Sequence, residues 1–320
     1  MSRIRRALRR IPGLHTMYLR GRRRARLWRW ILQRLRGSSV PGQGALWLSG
    51  ALDLLDATMR ERRWAPRCWF PIRVIDRASG VELYVRAMTD DIYFALPRRE
   101  GPVEEALLSP LREGDVAVDA GAHIGYYTVR MAQRVGPTGQ VVSVEPNPET
   151  LKVLERNLSL NHVRNVRIVR SALGAHDAGE DALAAPRGLW GMTSTGPVPE
   201  GVGYPGSHAV ATVPRSTLDR VCQDLERIRV IKLDIEGAEL AAIESGTATL
   251  SRTDVLVCER NVDRSAIRDR LEALGFQVDE LAFSTYVRAS ARRGTDRPFD
   301  VPRDVAEPHA AETDESRSGP

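Results

Sequence analysis

Residues 118–128 read VDAGAHIGYYT. Val116, Ala117 and Val118 run directly into Asp119, and two glycines four apart, Gly121 and Gly125, bracket His123. This order predicts a strand that ends in a tight turn and opens a helix. Gly121 lets the backbone turn sharply and approach a ligand with no Cβ in the way. Gly125 permits close packing of helix on strand.

Working outward, strand and helix alternate. Short β-branched runs predict strands at 116–119, 141–145, 166–170, 230–234, 255–259 and 276–281. Helices are expected at 124–135, 148–161, 238–245 and 263–274. Tyr127, Met131 and Val135 share one helical face, as do Leu151, Leu154 and Leu158, and Pro148 suits a first helical turn. Repeated βα units predict an α/β fold, a doubly wound, mostly parallel, Rossmann-like sheet covered on both faces. Ligands of such sheets bind at the carboxyl ends of the strands.

Glu145 ends the strand after the opening turn, 24 residues beyond Gly121. A carboxylate there can accept hydrogen bonds from both ribose hydroxyls. The turn is Asp-x-Gly-x-x-x-Gly and lacks the third glycine of G-x-G-x-x-G. A diphosphate profits from that glycine-rich helix start. S-adenosylmethionine has no phosphate; its amino and carboxylate groups need an acid and backbone N–H donors. The turn together with Glu145 points to a nucleotide-like cofactor; an ordinary strand–helix turn is the alternative.

The chain has 320 residues, 42% of them apolar, enough for a substantial core. No apolar run reaches 18 residues, so no transmembrane helix is expected. Cys68, Cys222 and Cys258 lie far apart, without metal spacing and in odd number, which suits a reducing cytoplasmic setting. Residues 1–36 hold thirteen arginines and no acid; taking thirteen from the overall +6 leaves −7 on the rest.

Four regions are expected. Residues 1–44 form a basic N-terminal arm ending in the linker GSSVPGQG at 37–44. Residues 45–102 form an extension, with a polar helical segment at 46–61 and a hairpin turning at Ala78–Gly80. Residues 103–291 form the main domain. The polar tail, 292–320, is expected to be disordered. Within the arm, Leu27, Trp28, Ile31, Leu32 and Leu35 fall on one helical face, opposite Arg26, Arg29, Gln33 and Arg36. Residues 24–36 are therefore read as a surface for an anionic membrane or another anionic partner, or as a helix packed on its own domain. Arginines interrupt every candidate secretory h-region.

The blocks GDVAVDAGAHIGYYT, VSVEPNPE, NLSLN, SALG, STLD and IKLDIEGAE occur in an order that resembles the FkbM-type methyltransferases. These are class I S-adenosylmethionine-dependent enzymes, many acting on hydroxyls of sugars or natural products. The resemblance covers roughly residues 108–259; His123 stands where the family more often has asparagine. It implies a seven-stranded sheet whose last strand, at 286–289, is antiparallel. It implies that Asp119, Gly121 and Gly125 hold the methionine end of the cofactor and Glu145 the ribose. It implies that Ser171 and Ala172 border the adenine.

KLDIEGAE carries the chemistry. Methyl transfer needs an aligned acceptor oxygen that loses its proton, and an alcohol is a poor nucleophile at neutral pH. Asp234, at the end of its strand, is the expected base. Alternatively Asp234 and Glu259 share Mg²⁺, a hard cation that takes oxygen ligands. Glu236 and Glu239 either take part or merely favour the start of the next helix. Lys232 lies on the same face of the strand as Asp234. His162 and His176 are alternative bases. The stretch 174–213 lacks periodicity, and ten of the 21 residues at 186–206 are Gly or Pro, so a long loop over the acceptor pocket is expected.

The expected function is O-methylation of a small-molecule or glycan hydroxyl by a cytoplasmic enzyme, peripheral at the inner face of the membrane if the arm binds lipid. The rivals are a nucleic-acid (RNA) methyltransferase using the arginine arm and a non-catalytic, membrane-tethered cofactor-binding protein. No NPPY-type tetrapeptide follows the fourth strand, and the arm lacks glycine-rich RNA motifs. The acceptor and the oligomeric state are not written in the sequence.

Overall fold

A computed structural model describes residues 12–59, 65–186, 188–195, 207–260, 264–282 and 284–291. The expected tail and the first part of the arm lie outside these residues.

The chain enters through helix α1 (Pro12–Arg34), strand β1 (Leu35–Gly37) and helix α2 (Val40–Met59). β1 pairs antiparallel with β2 (Ile72–Asp76), which forms a hairpin with β3 (Glu82–Val85). The stretch 37–44 is thus not a linker. It is a strand end, a bend and the first helical turn, fixed by Gln43 Oε1 accepting from Gly37 N at 2.9 Å. Gly37 sits so close to Gly42 and Gln43 that a Cβ would meet backbone at 2.2 Å.

The amphipathic face of the arm is also placed differently from a lipid anchor. Leu27, Trp28, Ile31 and Leu35 are buried in one core with Leu46, Val74, Leu83 and residues of the main domain. Trp28 Nε1 donates to Asp53 Oδ2 at 2.7 Å, and the buried Arg24 pairs with the same oxygen at 3.5 Å. Apolar burial inside the protein has claimed the face that lipid would need.

After helix α3 (Gly101–Leu108) comes the main sheet: β4 (Val116–Ala120), β5 (Gln140–Val144), β6 (Val166–Val169), β11 (Ile228–Leu233), β12 (Thr253–Glu259), β13 (Phe276–Glu280) and β14 (Tyr286–Ala291). Its order is β13-β14-β12-β11-β4-β5-β6. β14 is antiparallel to both neighbours; the other pairings are parallel. Helices α4 (Tyr126–Val135) and α5 (Pro148–Leu160) join the core shared with the N-terminal elements. Helices α6 (Glu239–Glu244) and α7 (Arg264–Ala273) supply Ala242, Ile243, Ile267 and Leu271 to the core on the opposite face. Strand order reverses between β4 and β11, the topological switch point where ligands bind.

The stretch 174–213 is largely not the expected loop. β7 (Ala172–Leu173), β8 (Glu180–Pro186), β9 (Ser194–Thr195) and β10 (Ser207–Ser216) make a second sheet of order β7-β10-β8-β9. Residue 187 and the segment 196–206, part of the Gly- and Pro-rich run, lie outside the described residues.

Candidate active site

The carboxyl ends of β4, β5 and β11 meet at a cleft lined by Gly121, Glu145, Ser171, Ala172, Lys232 and Asp234, among others. Gly121 adopts φ +80°, and a Cβ there would lie 1.7 Å from the Asp234 carbonyl oxygen. Only a glycine lets the first turn press against the end of β11 in this way. The Gly121 and Ala122 N–H groups both donate to Val144 O, at 3.0 and 3.1 Å.

Glu145 is held at both oxygens. Oε2 accepts from His123 N and Oε1 from Asn147 N, each at 2.9 Å. Burial pushes its pKa up to about 7, against those two bonds. His123 (φ +50°) turns its ring onto Phe94, with centroids 4.4 Å apart. Burial drives the imidazole down to about 3, so the ring is neutral at physiological pH. The buried Ser171 hydroxyl has no hydrogen-bond partner among the described residues. An orphaned donor beside Ala172 in an open cleft fits a polar ligand at that end.

Asp119 and Gly125 do not reach the cleft. Asp119 is fully buried; Oδ2 accepts from Thr128 Oγ1 at 2.6 Å and Oδ1 faces Lys232 Nζ at 3.4 Å. Strand alternation turns this acid beneath the turn rather than into it. Gly125 caps α4 at φ +89°, where a Cβ would strike Leu154 Cδ1 at 2.5 Å. Both support the turn from below.

Lys232 links the two acids. Its ammonium lies 3.2 Å from Asp234 Oδ2 and donates to Gly121 O at 2.9 Å. Burial alone would lower its pKa; Asp234 and Asp119 outweigh that and hold it above the usual lysine value. For Asp234, burial opposes ionisation, but Lys232 foremost, with hydrogen bonds from Glu259 and Tyr286, keeps the pKa below the usual carboxylate value.

A second pocket opens beside the cleft and shares Phe94, Arg99, Asp234 and Glu236 with it; Glu259 and Tyr286 belong to the second pocket alone. Asp234, Glu236 and Glu259 each offer a carboxylate oxygen within 4.8 Å of the others. Burial, then the Asp234 charge, raises Glu236 to about 8 and Glu259 to about 10. An all-oxygen donor set of this kind fits a hard divalent cation, and a bound cation would displace those protons. Glu239 is not part of the set. It is buried and accepts from Ile235 N at 2.9 Å and Gly237 N at 3.0 Å, so it fastens the turn before α6. His162 and His176 do not line the cleft.

Sequence reasoning missed Phe94, Arg99 and Tyr286 as site residues; the wall at Trp190–Met192 falls in the stretch expected over the acceptor pocket. Asp90 holds that wall, accepting from Trp190 N at 3.1 Å and Gly191 N at 3.2 Å. The paired acids Asp90 and Asp91 before an aromatic run were the available signal.

Among known proteins, the chain is 24% identical over 189 residues to Methyltransferase 1 of Beauveria bassiana, covering 53% of this chain and 76% of that relative. It is 28% identical over 193 residues to Methyltransferase sdnD of Sordaria araneosa, covering 50% and 73%. A solved SAM-dependent O-methyltransferase from Thermotoga maritima aligns with TM-score 0.39 at 15% identity, covering 70% of this chain and 79% of that one. The family model described as the methyltransferase FkbM domain matches residues 119–278. That match runs from the acid beneath the first turn to the edge strand β13 and takes in half the chain, which belongs to the FkbM methyltransferase family.

Proposed function

We propose that the protein is an S-adenosylmethionine-dependent O-methyltransferase whose acceptor is a hydroxyl on a sugar, glycan or natural product. The observation that carries this reading is the position of Asp234, one charged carboxylate lining both the cleft and the adjoining pocket. When bound, the cofactor supplies an electrophilic sulfonium methyl group. Glu145 would hold the ribose, Ser171 and Ala172 the adenine end, and the backbone at Gly121 the methionine end. Asp119 acts from below, by fixing Lys232.

Asp234 would orient the acceptor hydroxyl and take its proton as the new bond forms. Lys232 and Tyr286 fix the carboxylate for that task. Tyr93, Phe94 and Met192 line this pocket and would border the apolar side of an acceptor. Alternatively Asp234, Glu259 and Glu236 hold Mg²⁺, which would polarise the acceptor oxygen instead.

Calorimetric titration of S-adenosylmethionine into the wild type and Glu145→Ala tests the cofactor assignment. Each lost charge-assisted bond should cost about 1.5–3 kcal/mol of affinity. A folded variant that binds as well as the wild type removes Glu145 from the site. Mass spectrometry of hydroxylated metabolites from cells with and without the gene then identifies the acceptor; a product methylated on nitrogen or carbon would overturn the O-transfer reading.

A further inference from the structure

Every exposed residue of α2 is apolar, glycine or proline. Val40 is 87% exposed, Trp47 62%, Leu55 62% and Met59 66%. Together with Leu48 and Ala51 they recur at helical spacing and share one face. The opposite face, with Leu46, Gly50 and Asp53, is buried. A stripe of this size and composition on a water-facing helix calls for a cover.

Beside it lies α1. The helices run antiparallel, with Gly21 against Thr58 and Gly50 against the Trp28 ring. Both turn their inner faces to the same core, so their outer faces form one surface. On α1 that outer face carries the exposed Arg22, Arg26 and Arg29, and Arg36 follows in β1. No acid occurs before Asp53, which is buried.

We infer that this surface docks the protein on an anionic lipid bilayer, with the α2 stripe in the interfacial layer and the α1 arginines among the headgroups. Aliphatic side chains and a tryptophan suit the boundary of the acyl region. Arginines flanking them match the negative charge of the leaflet. A second copy of the chain is a poorer occupant, because a two-fold contact sets the same patch against itself and brings two arginine rows together with no acid between them. A nucleic acid would answer the arginines but leave the stripe in water. No helix among the described residues is long and apolar enough to cross a membrane, so both helices would lie along its surface. This inference does not rest on the methyl-transfer reading.

Flotation of the full chain with vesicles of phosphatidylcholine containing about one-third phosphatidylglycerol tests it, with phosphatidylcholine alone as the neutral arm. The wild type should float with the anionic vesicles, less at high salt, and not with the neutral ones. Trp47→Glu with Leu55→Glu, and separately Arg22→Glu with Arg29→Glu, should each weaken partitioning about tenfold or more. Unchanged melting temperature shows that the variants fold, since all four side chains are exposed. Flotation of the Trp47/Leu55 variant equal to wild type overturns the inference, as does a wild type that stays with the soluble fraction. A lipid-free dimer that this variant converts to monomer would assign the stripe to a second copy instead.

Discussion

Tyr286 donates its hydroxyl proton to Asp234 Oδ2 at 2.9 Å. The bond spans 52 residues and ties the antiparallel strand β14 to the end of β11, across β12. Burial, foremost, and the nearby carboxylates hold the phenol well above its usual pKa, so it remains a donor. Lys232 lies 3.2 Å from the same oxygen, and Glu259 adds a further hydrogen bond to the carboxylate, so three neighbours fix Asp234 in place.

Tyr286→Phe removes that donor and keeps the ring. A hydrogen bond to a charged group is worth about 1.5–3 kcal/mol, so turnover should fall about tenfold to a hundredfold. Cofactor affinity should hold, because the ring packs and the cleft does not change. Steady-state kinetics beside calorimetry separates the two. Undiminished turnover would show that Asp234 does not depend on Tyr286.

Asp234→Asn keeps the shape and removes the charge. If Asp234 is the base, turnover should drop by about 10²–10⁴-fold with cofactor binding retained. A chelator then discriminates: wild-type activity that survives it supports the base, and activity lost to the chelator and restored by Mg²⁺ supports the shared cation. Full activity of the variant refutes both roles.

Asp90 gives the fold a pH dependence. Burial, then Asp91, raises its pKa from 3.8 to about 7. A folded-state pKa above the unfolded one means that the native protein holds the proton more tightly. The stabilisation is fully present below the ordinary value and is lost as pH rises through about 7. The unfolding free energy of the ligand-free protein should therefore fall between about pH 4 and 7, by about 1.4 kcal/mol per pH unit at most for one such group. Asp90→Asn should flatten the slope; an unchanged slope assigns it to other groups, Glu145 first.

Asp53 anchors the helical pair. It takes Trp28 Nε1 and Arg24 on one side and Arg67 N at 3.3 Å on the other. Asp53→Ala removes the carboxylate that Trp28 Nε1, Arg24 and Arg67 N share, and should cost about 1–3 kcal/mol in a denaturation series. A loss under about 1 kcal/mol would show that the helical pair does not depend on Asp53.

The sequence by itself determined the first turn, the main sheet and the family. Gly121, Gly125 and the β-branched runs are local signals: periodicity and turn chemistry act within a few residues, and six blocks in order fix what lies between them. It also put Lys232 and Asp234 on one face, because strand alternation is strict. Contacts between distant segments were decided only by the tertiary structure. The period-3.6 pattern at Leu27–Leu35 said that a face is buried but not what buries it; packing against Leu46 and Leu83 answered that. The helix expected at 46–61 as polar became the apolar stripe, because its polar positions, Ser49 and Asp53, turn inward to partners found only in the folded chain. The second sheet was missed because β8 and β10 pair across a Gly- and Pro-rich interruption. The family resemblance implies a ligand contact for Asp119; only the side of the strand on which its carboxylate packs, against Thr128 and Lys232, moves it beneath the site.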